Sequence, residues 1–166
     1  MTNVYSVNFA WCIVIDNSTH HIDDLCTEVG TKTIIQIGEP WWWYNTKTNN
    51  PCIYDFKTKT AFFEKTGMYA QNCGDIYEAE KLANVTPHKE YFAFVRDVLG
   101  ARVAKFGKVL KEKNANAQIT LLPFLPTILD HGIMEYVNIP ENYYNTDNFD
   151  FFCSECYDWL LEGKLI

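Results

Sequence analysis

Two glutamates stand one residue beyond β-type runs in this sequence. Glu39 follows Thr33 to Ile37, and Glu155 follows Phe149 to Cys153. Two carboxylates delivered by separate strand ends are what glycoside cleavage requires. One must stay protonated to give a proton to the leaving oxygen, and the other must be ionised to attack or to activate water. In that assignment Glu39 is the acid/base and Glu155 the nucleophile. Trp41, Trp42 and Trp43 come next to Glu39, with Tyr44 behind them, and their flat faces suit stacking on a sugar ring. Asp130-His131, after the Pro126 turn, and Asp16, at the end of an earlier run, are further polar groups that can reach such a cleft. A surface-loop role for His131 and a turn role for Asp16 are the preferred readings.

The same residues have a simpler use. Three large aromatics on a loop can plug one end of a barrel or bury themselves against a neighbouring subunit, since aromatics dominate the centres of such contacts. The glutamates can then accept hydrogen bonds from backbone amides or indole N–H groups. This structural use is preferred here over catalysis. A third use is carbohydrate binding by the tryptophans without hydrolysis.

The elements that must position these groups follow from pattern. Val4 to Ile15 reads as a strand rich in aromatic and β-branched residues, closed by Asp16-Asn17-Ser18. Thr33 to Ile37 is a second strand, stopped by Gly38 and Pro40. About 45 residues of elaborated loop follow. They include the island Pro51 to Asp55, with room for a short hairpin and a short helix over Ile76 to Ala83. Thr86-Pro87 then supplies an N-cap and a first helical proline. Phe92, Val95, Leu99, Val103, Phe106 and Leu110 recur at steps of three and four, which predicts a helix to about Lys113. Gln118 to Leu122 is a continuous apolar strand, the pattern of a sheet buried on both faces. Phe149 to Cys153 is another short strand, and Tyr157 to Leu161 can begin a last helix. Continuous apolar strands separated by a helix argue for parallel β/α units. The expected class is therefore α/β, a partial (β/α)8 TIM-barrel-like arrangement in one domain over residues 1–166. Chemistry in that architecture collects at the C-terminal ends of the strands.

Composition narrows the function. The 166 residues are 48% hydrophobic and 16% aromatic, which supports a packed core. A net charge of −7 offers nothing to nucleic acid. The basic stretch Lys105 to Lys113 reads as a solvated helix face. The first sixteen residues carry no basic leader, and their apolar run Phe9 to Ile15 is too short to cross a membrane. Six cysteines read as reduced thiols, with Cys153-x-x-Cys156 as buried strand-end residues rather than a metal or redox pair. His20-His21 reads as surface loop. With no phosphate loop, dinucleotide fingerprint or metal cluster, no cofactor is expected.

The succession QIGEPWWWY (36–44), PCIYD (51–55), LLPFLPTILD (121–130) and FDFFCSECYDW (149–159) resembles one family in order and content. This is the phage non-contractile tail sheath group, whose TIM barrel domain is glycosidase-like and has relatives in prophages. The resemblance spans about residues 4–163, and GEPWWW is its most specific part. It implies a virion structural component that meets other tail proteins or copies of itself. Its expected place is the virion tail, or the cytoplasm of the bacterial host before assembly. Ancestry shared with sugar hydrolases would account for the carboxylates without requiring that they act. Gly-Glu-Pro also resembles the Asn-Glu-Pro acid motif of retaining glycosidases, but Gly38 stands where that motif has its sugar-binding asparagine. Glu155, Tyr157, Asp158 and Trp159 match the family's last motif, and Cys156 replaces an aspartate of it. A full barrel takes about 250 residues, so the chain is expected to be a fragment, corresponding to the central to C-terminal part of the family domain. Its open sheet edges would then need a partner or self-association.

Overall fold

The computed structural model of the chain describes residues 24–26, 28–38, 40–45, 47–123, 132–154 and 161. The expected strand Val4 to Ile15, His20-His21 and the helix from Tyr157 lie outside these residues, Leu161 apart.

In chain order the elements are β1 (Ile34–Gly38), a hairpin of β2 (Tyr44–Asn45) and β3 (Asn50–Pro51), α1 (Phe56–Thr66), α2 (Ile76–Leu82), α3 (His88–Lys113), β4 (Gln118–Leu122), α4 (Gly132–Asn138) and β5 (Phe151–Phe152). β1, β4 and β5 form one sheet in that order, and both pairings are parallel. Ile35 lies beside Ile119 and Ile37 beside Leu121, while Thr120 lies beside Phe151. Parallel strands adjacent in both sheet and sequence are how a β/α barrel wall is built. Among the described residues the wall is three strands wide and does not close.

Each helix has a local cause. At α1 the Asp55 carboxylate accepts from Thr58 N–H at 3.1 Å, and Gly67 ends the helix at φ 73°. At α2 Asp75 accepts from Glu78 N–H at 2.8 Å, while Glu78 reaches back to Gly74 N–H at 2.5 Å. α3 differs from expectation at its start. Its first helical residue is His88, Thr86-Pro87 is a cis peptide, and Pro87 stands at the cap without a side-chain cap bond. Carbonyls of the preceding turn do that work, Val85 accepting from Lys89 N–H and Pro87 from Tyr91 N–H, each at 3.0 Å. The far end at Lys113 agrees with the sequence reading.

The expected stripe on α3 is buried, except that Phe106 is half-exposed. The buried face is wider than the stripe and takes in Tyr91, Phe94, Gly100, Ala104 and Gly107. It meets the sheet through Ile37, Ile119 and Leu121. At its N-terminal half it meets α1, where Phe62 stands edge-on to Tyr91 at 5.1 Å. α4 buries Ile133, Met134 and Val137, and Arg96 of α3 sits 4.5 Å over the ring of its Tyr136.

The last strand is shorter than expected. Phe149 is drawn out of the ladder by a bond from its N–H to Asn145 C=O at 3.1 Å and is buried in the core. Asp150 then ties the strand down. Its N–H donates to Ile119 C=O at 2.8 Å, its carboxylate accepts from Ile119 N–H at 2.7 Å, and Lys111 pairs with it at 3.0 Å. The basic stretch on α3 is exposed at Lys105, Lys108 and Lys113, but Lys111 is engaged in this way.

Those contacts hold the Asp150 carboxyl below the usual carboxylate range, first through the Ile119 amide and then through Lys111. A carboxyl with a lowered folded-state pKa contributes stability above its unfolded value and loses it as pH falls through the folded one. The stability gap between wild type and Asp150→Asn should therefore narrow as pH drops below about 4. Urea midpoints measured at neutral and acid pH check this, and a gap independent of pH would contradict it.

Candidate functional site

The C-terminal rim of the sheet is where the sequence points. Gly38 pairs with Leu122, and the ladder continues past β5 with Cys153 N–H donating to Leu121 C=O at 2.8 Å. Gly38, Leu122 and Cys153 therefore share one end of three neighbouring strands. Two strand steps separate the outer pair, roughly 10 Å. Glu39 follows Gly38 directly, and Glu155 follows Cys153 by two residues. Both glutamates lie outside the described residues, as do Asp130, His131, Cys156, Tyr157, Trp159 and Asp16. Cys153, as the strand end, is half-buried, with its sulfur 3.3 Å from the Thr120 hydroxyl.

The tryptophan run is described in full. Between β1 and β2 successive side chains point to opposite sides. Trp41 and Trp43 share one side, with ring centroids 4.3 Å apart and planes tilted by 41°. Trp43 is 58% exposed and Trp41 is half-buried. Trp42 points the other way and is 3% exposed. The Asn138 side chain clasps its backbone, Oδ1 accepting from Trp42 N–H at 2.5 Å and Nδ2 donating to Trp42 C=O at 3.1 Å. The indole N–H of Trp42 donates to Val95 C=O at 3.1 Å. Every polar group of this buried tryptophan is thus satisfied from the helix layer. Tyr144 adds a hydroxyl contact to Pro40 C=O at 3.4 Å, and burial pushes that phenol well above its ordinary range. Tyr44 is half-buried in the hairpin, opposite Pro51.

Asn138 is the residue that sequence reasoning missed here. It lies 96 positions from Trp42, and nothing local marks it. A second polar group also escaped notice. The Cys73 sulfur is 3.5 Å from Nδ1 of His88, and both side chains are buried. Burial pushes the thiol up, the charges of Glu78 and Asp75 add to this, and a Tyr54 contact opposes it. A thiol kept protonated is a poor nucleophile. The enclosed Tyr54 hydroxyl makes no hydrogen bond of ordinary geometry, and burial followed by the neighbouring thiol keeps it protonated.

Among the described residues no three His, Cys, Asp or Glu side chains are grouped to hold a metal ion, and no helix is long and apolar enough to cross a membrane.

A comparison with known families bears on the whole of this arrangement. The family model described as non-contractile tail sheath protein TIM barrel matches residues 8–165. The chain belongs to this family. No curated protein and no solved structure matches it. Membership in the tail sheath family, whose domain is described as a TIM barrel, gives the parallel sheet of β1, β4 and β5 its context. It also makes the rim carrying GEPWWW the natural place to look for what the domain does.

Proposed function

We propose that the chain is a non-enzymatic structural element of a phage or prophage tail, contributing a sheath-type domain that contacts copies of itself or other tail proteins. The family match supports the sheath assignment. The observation that carries the structural reading is the Trp42 clamp. The middle residue of the triplet is anchored in the helix layer by three hydrogen bonds, two to its backbone and one from its indole, so the run fixes the rim loop in place. Trp41, Trp43 and Tyr44, with Tyr157, Trp159 and Asp130, are the residues that this reading assigns to partner contact.

A glycoside hydrolase is the second reading, with Glu39 as acid/base and Glu155 as nucleophile acting on cell-wall or surface polysaccharide. It is supported by the parallel pairing of β1 and β5 with β4, which leaves Gly38 and Cys153 at the same end of the sheet. The Trp41–Trp43 pair, tilted and with Trp43 exposed, equally suits a sugar face without turnover.

One experiment separates them. Purified protein incubated with purified cell wall is expected to release no reducing sugar above buffer, and Glu39→Gln with Glu155→Gln to leave particle association unchanged. Labelled antibody against the chain is expected to decorate tails in electron micrographs. Sugar release that disappears in Glu39→Gln would replace the structural reading with the hydrolase. Glycan binding lost in Trp43→Ala, without release, would favour the binding module.

A further inference from the structure

The outward face of α1 is aromatic where a surface helix should be polar. Thr58 and Phe62 are its buried residues, and Phe56, Thr60 and Phe63 recur at steps of four and three on the opposite side. Phe56 is 81% exposed and Phe63 is 38% exposed. Tyr69, 76% exposed, stacks on Phe63 with centroids 4.6 Å apart. Three neighbouring aromatics left in water mark an interaction surface.

A matching recess lies elsewhere on the molecule. The C-terminal half of α3 and the segment Thr146 to Asp150 enclose a hollow of about 300 Å³, floored by Ala104, Gly107, Ile119 and Phe149. Exposed Lys108 and Asp147 lie on its two lips. The flanks of the aromatic face carry the opposite pattern, with Lys59 on one side and Glu64 on the other. α1 packs against α3 near Phe94, where Phe62 is 5.5 Å away, so face and recess are separated along α3 by 13 residues, roughly 20 Å. A knob and a complementary pocket at different places on one molecule make a heterologous contact, which repeats from copy to copy instead of closing as a two-fold dimer.

We infer that the α1 aromatic face, led by Phe56, docks into the α3/146–150 recess of a second copy of this chain, joining copies head to tail. Lys59 meets the Asp147 lip and Glu64 meets the Lys108 lip. The inference rests on the reading of the chain as a self-associating tail component.

Sedimentation velocity of the full chain over a wide concentration range tests it. Wild type should grow in mass with concentration without stopping at two copies. Phe56→Ser removes the knob and Thr146→Trp fills the recess, and both sites are exposed, so circular dichroism should be unchanged. Each variant alone should associate about 30-fold more weakly or worse, the loss expected of a central contact residue. Mixed in equal amounts, they should form a heterodimer that grows no further, because one intact knob and one intact recess remain. Variants that associate like wild type would overturn this contact while leaving self-association standing. A wild type that stops at a dimer would overturn the head-to-tail geometry. A wild type that stays monomeric throughout would overturn both the contact and the self-associating reading.

Discussion

Asn138→Leu should unfold in urea at a clearly lower concentration than wild type, with a loss of roughly 2–6 kcal/mol. Asn138 is fully buried, and its amide is the partner of both the N–H and the C=O of Trp42. Leucine fills a similar volume but offers neither donor nor acceptor. Two backbone groups are then left without partners, at about 1–3 kcal/mol each. The indole bond to Val95 survives, so the loss should fall on the rim loop first. Tryptophan emission should shift to the red before the global transition. Asn138→Asp is the sharper control. It keeps the acceptor, loses the donor, and places a carboxylate against the Trp42 carbonyl, so its deficit should grow as that carboxylate ionises. Equal midpoints for wild type and Asn138→Leu would show that the clamp contributes nothing.

Gly100→Val should be the second severe change, costing about 3 kcal/mol or more through overpacking. Glycine inside a 26-residue helix is a poor choice by intrinsic preference, and alanine there would ordinarily gain about 1 kcal/mol. The surroundings reverse the sign. A Cβ on Gly100 would stand 2.7 Å from Cγ of Tyr143 and 2.8 Å from Cβ of Pro140. The Tyr143 ring atom is next to its own backbone, and the proline ring cannot swing aside, so the connection between α4 and β5 has to move. Gly107, two helical turns further on, provides the comparison. A Cβ there meets Phe149, Asn148 and Ile119 at 3.4–3.6 Å, which is ordinary contact. Gly107→Ala should therefore be neutral or mildly stabilising, while Gly100→Ala destabilises. Thermal melts of the two alanine variants, moving in opposite directions, would establish which glycine is sterically required.

What the sequence could disclose depended on whether the cause was local. β1, β4 and α3 were legible because each carries its own signal, a bounded apolar run or a long stripe of period near 3.6. The short helix expected over Ile76 to Ala83 is present as α2, and the Asp75 cap that starts it is a local cause. α1 was missed because FKTKTAFFEKT buries only Thr58 and Phe62, and exposed aromatics blur the stripe. Its cap at Asp55 and its terminal Gly67 are local, but without a clear apolar stripe between them they do not mark a helix. α4 was missed because seven residues give barely two turns of pattern. The site divided the same way. The tryptophan triplet and the two strand-end positions were visible as motifs. The partner that decides how the triplet is used, Asn138, is set by tertiary packing alone. The cysteine–histidine contact across Cys73 and His88 was invisible for the same reason.

The alternation along the tryptophan run has a consequence for how the loop can vary. Three identical side chains look interchangeable, yet the middle one is held through both its backbone and its indole, while the outer two lie together on the other side of the run. The exposed outer ring, Trp43, should be exchangeable for another flat group while the backbone keeps its seat. Adding or removing a single residue between Gly38 and Trp42 leaves the composition almost untouched but should turn the anchor outward and break the Asn138 clasp. The rim should therefore tolerate many spellings and very few changes of length.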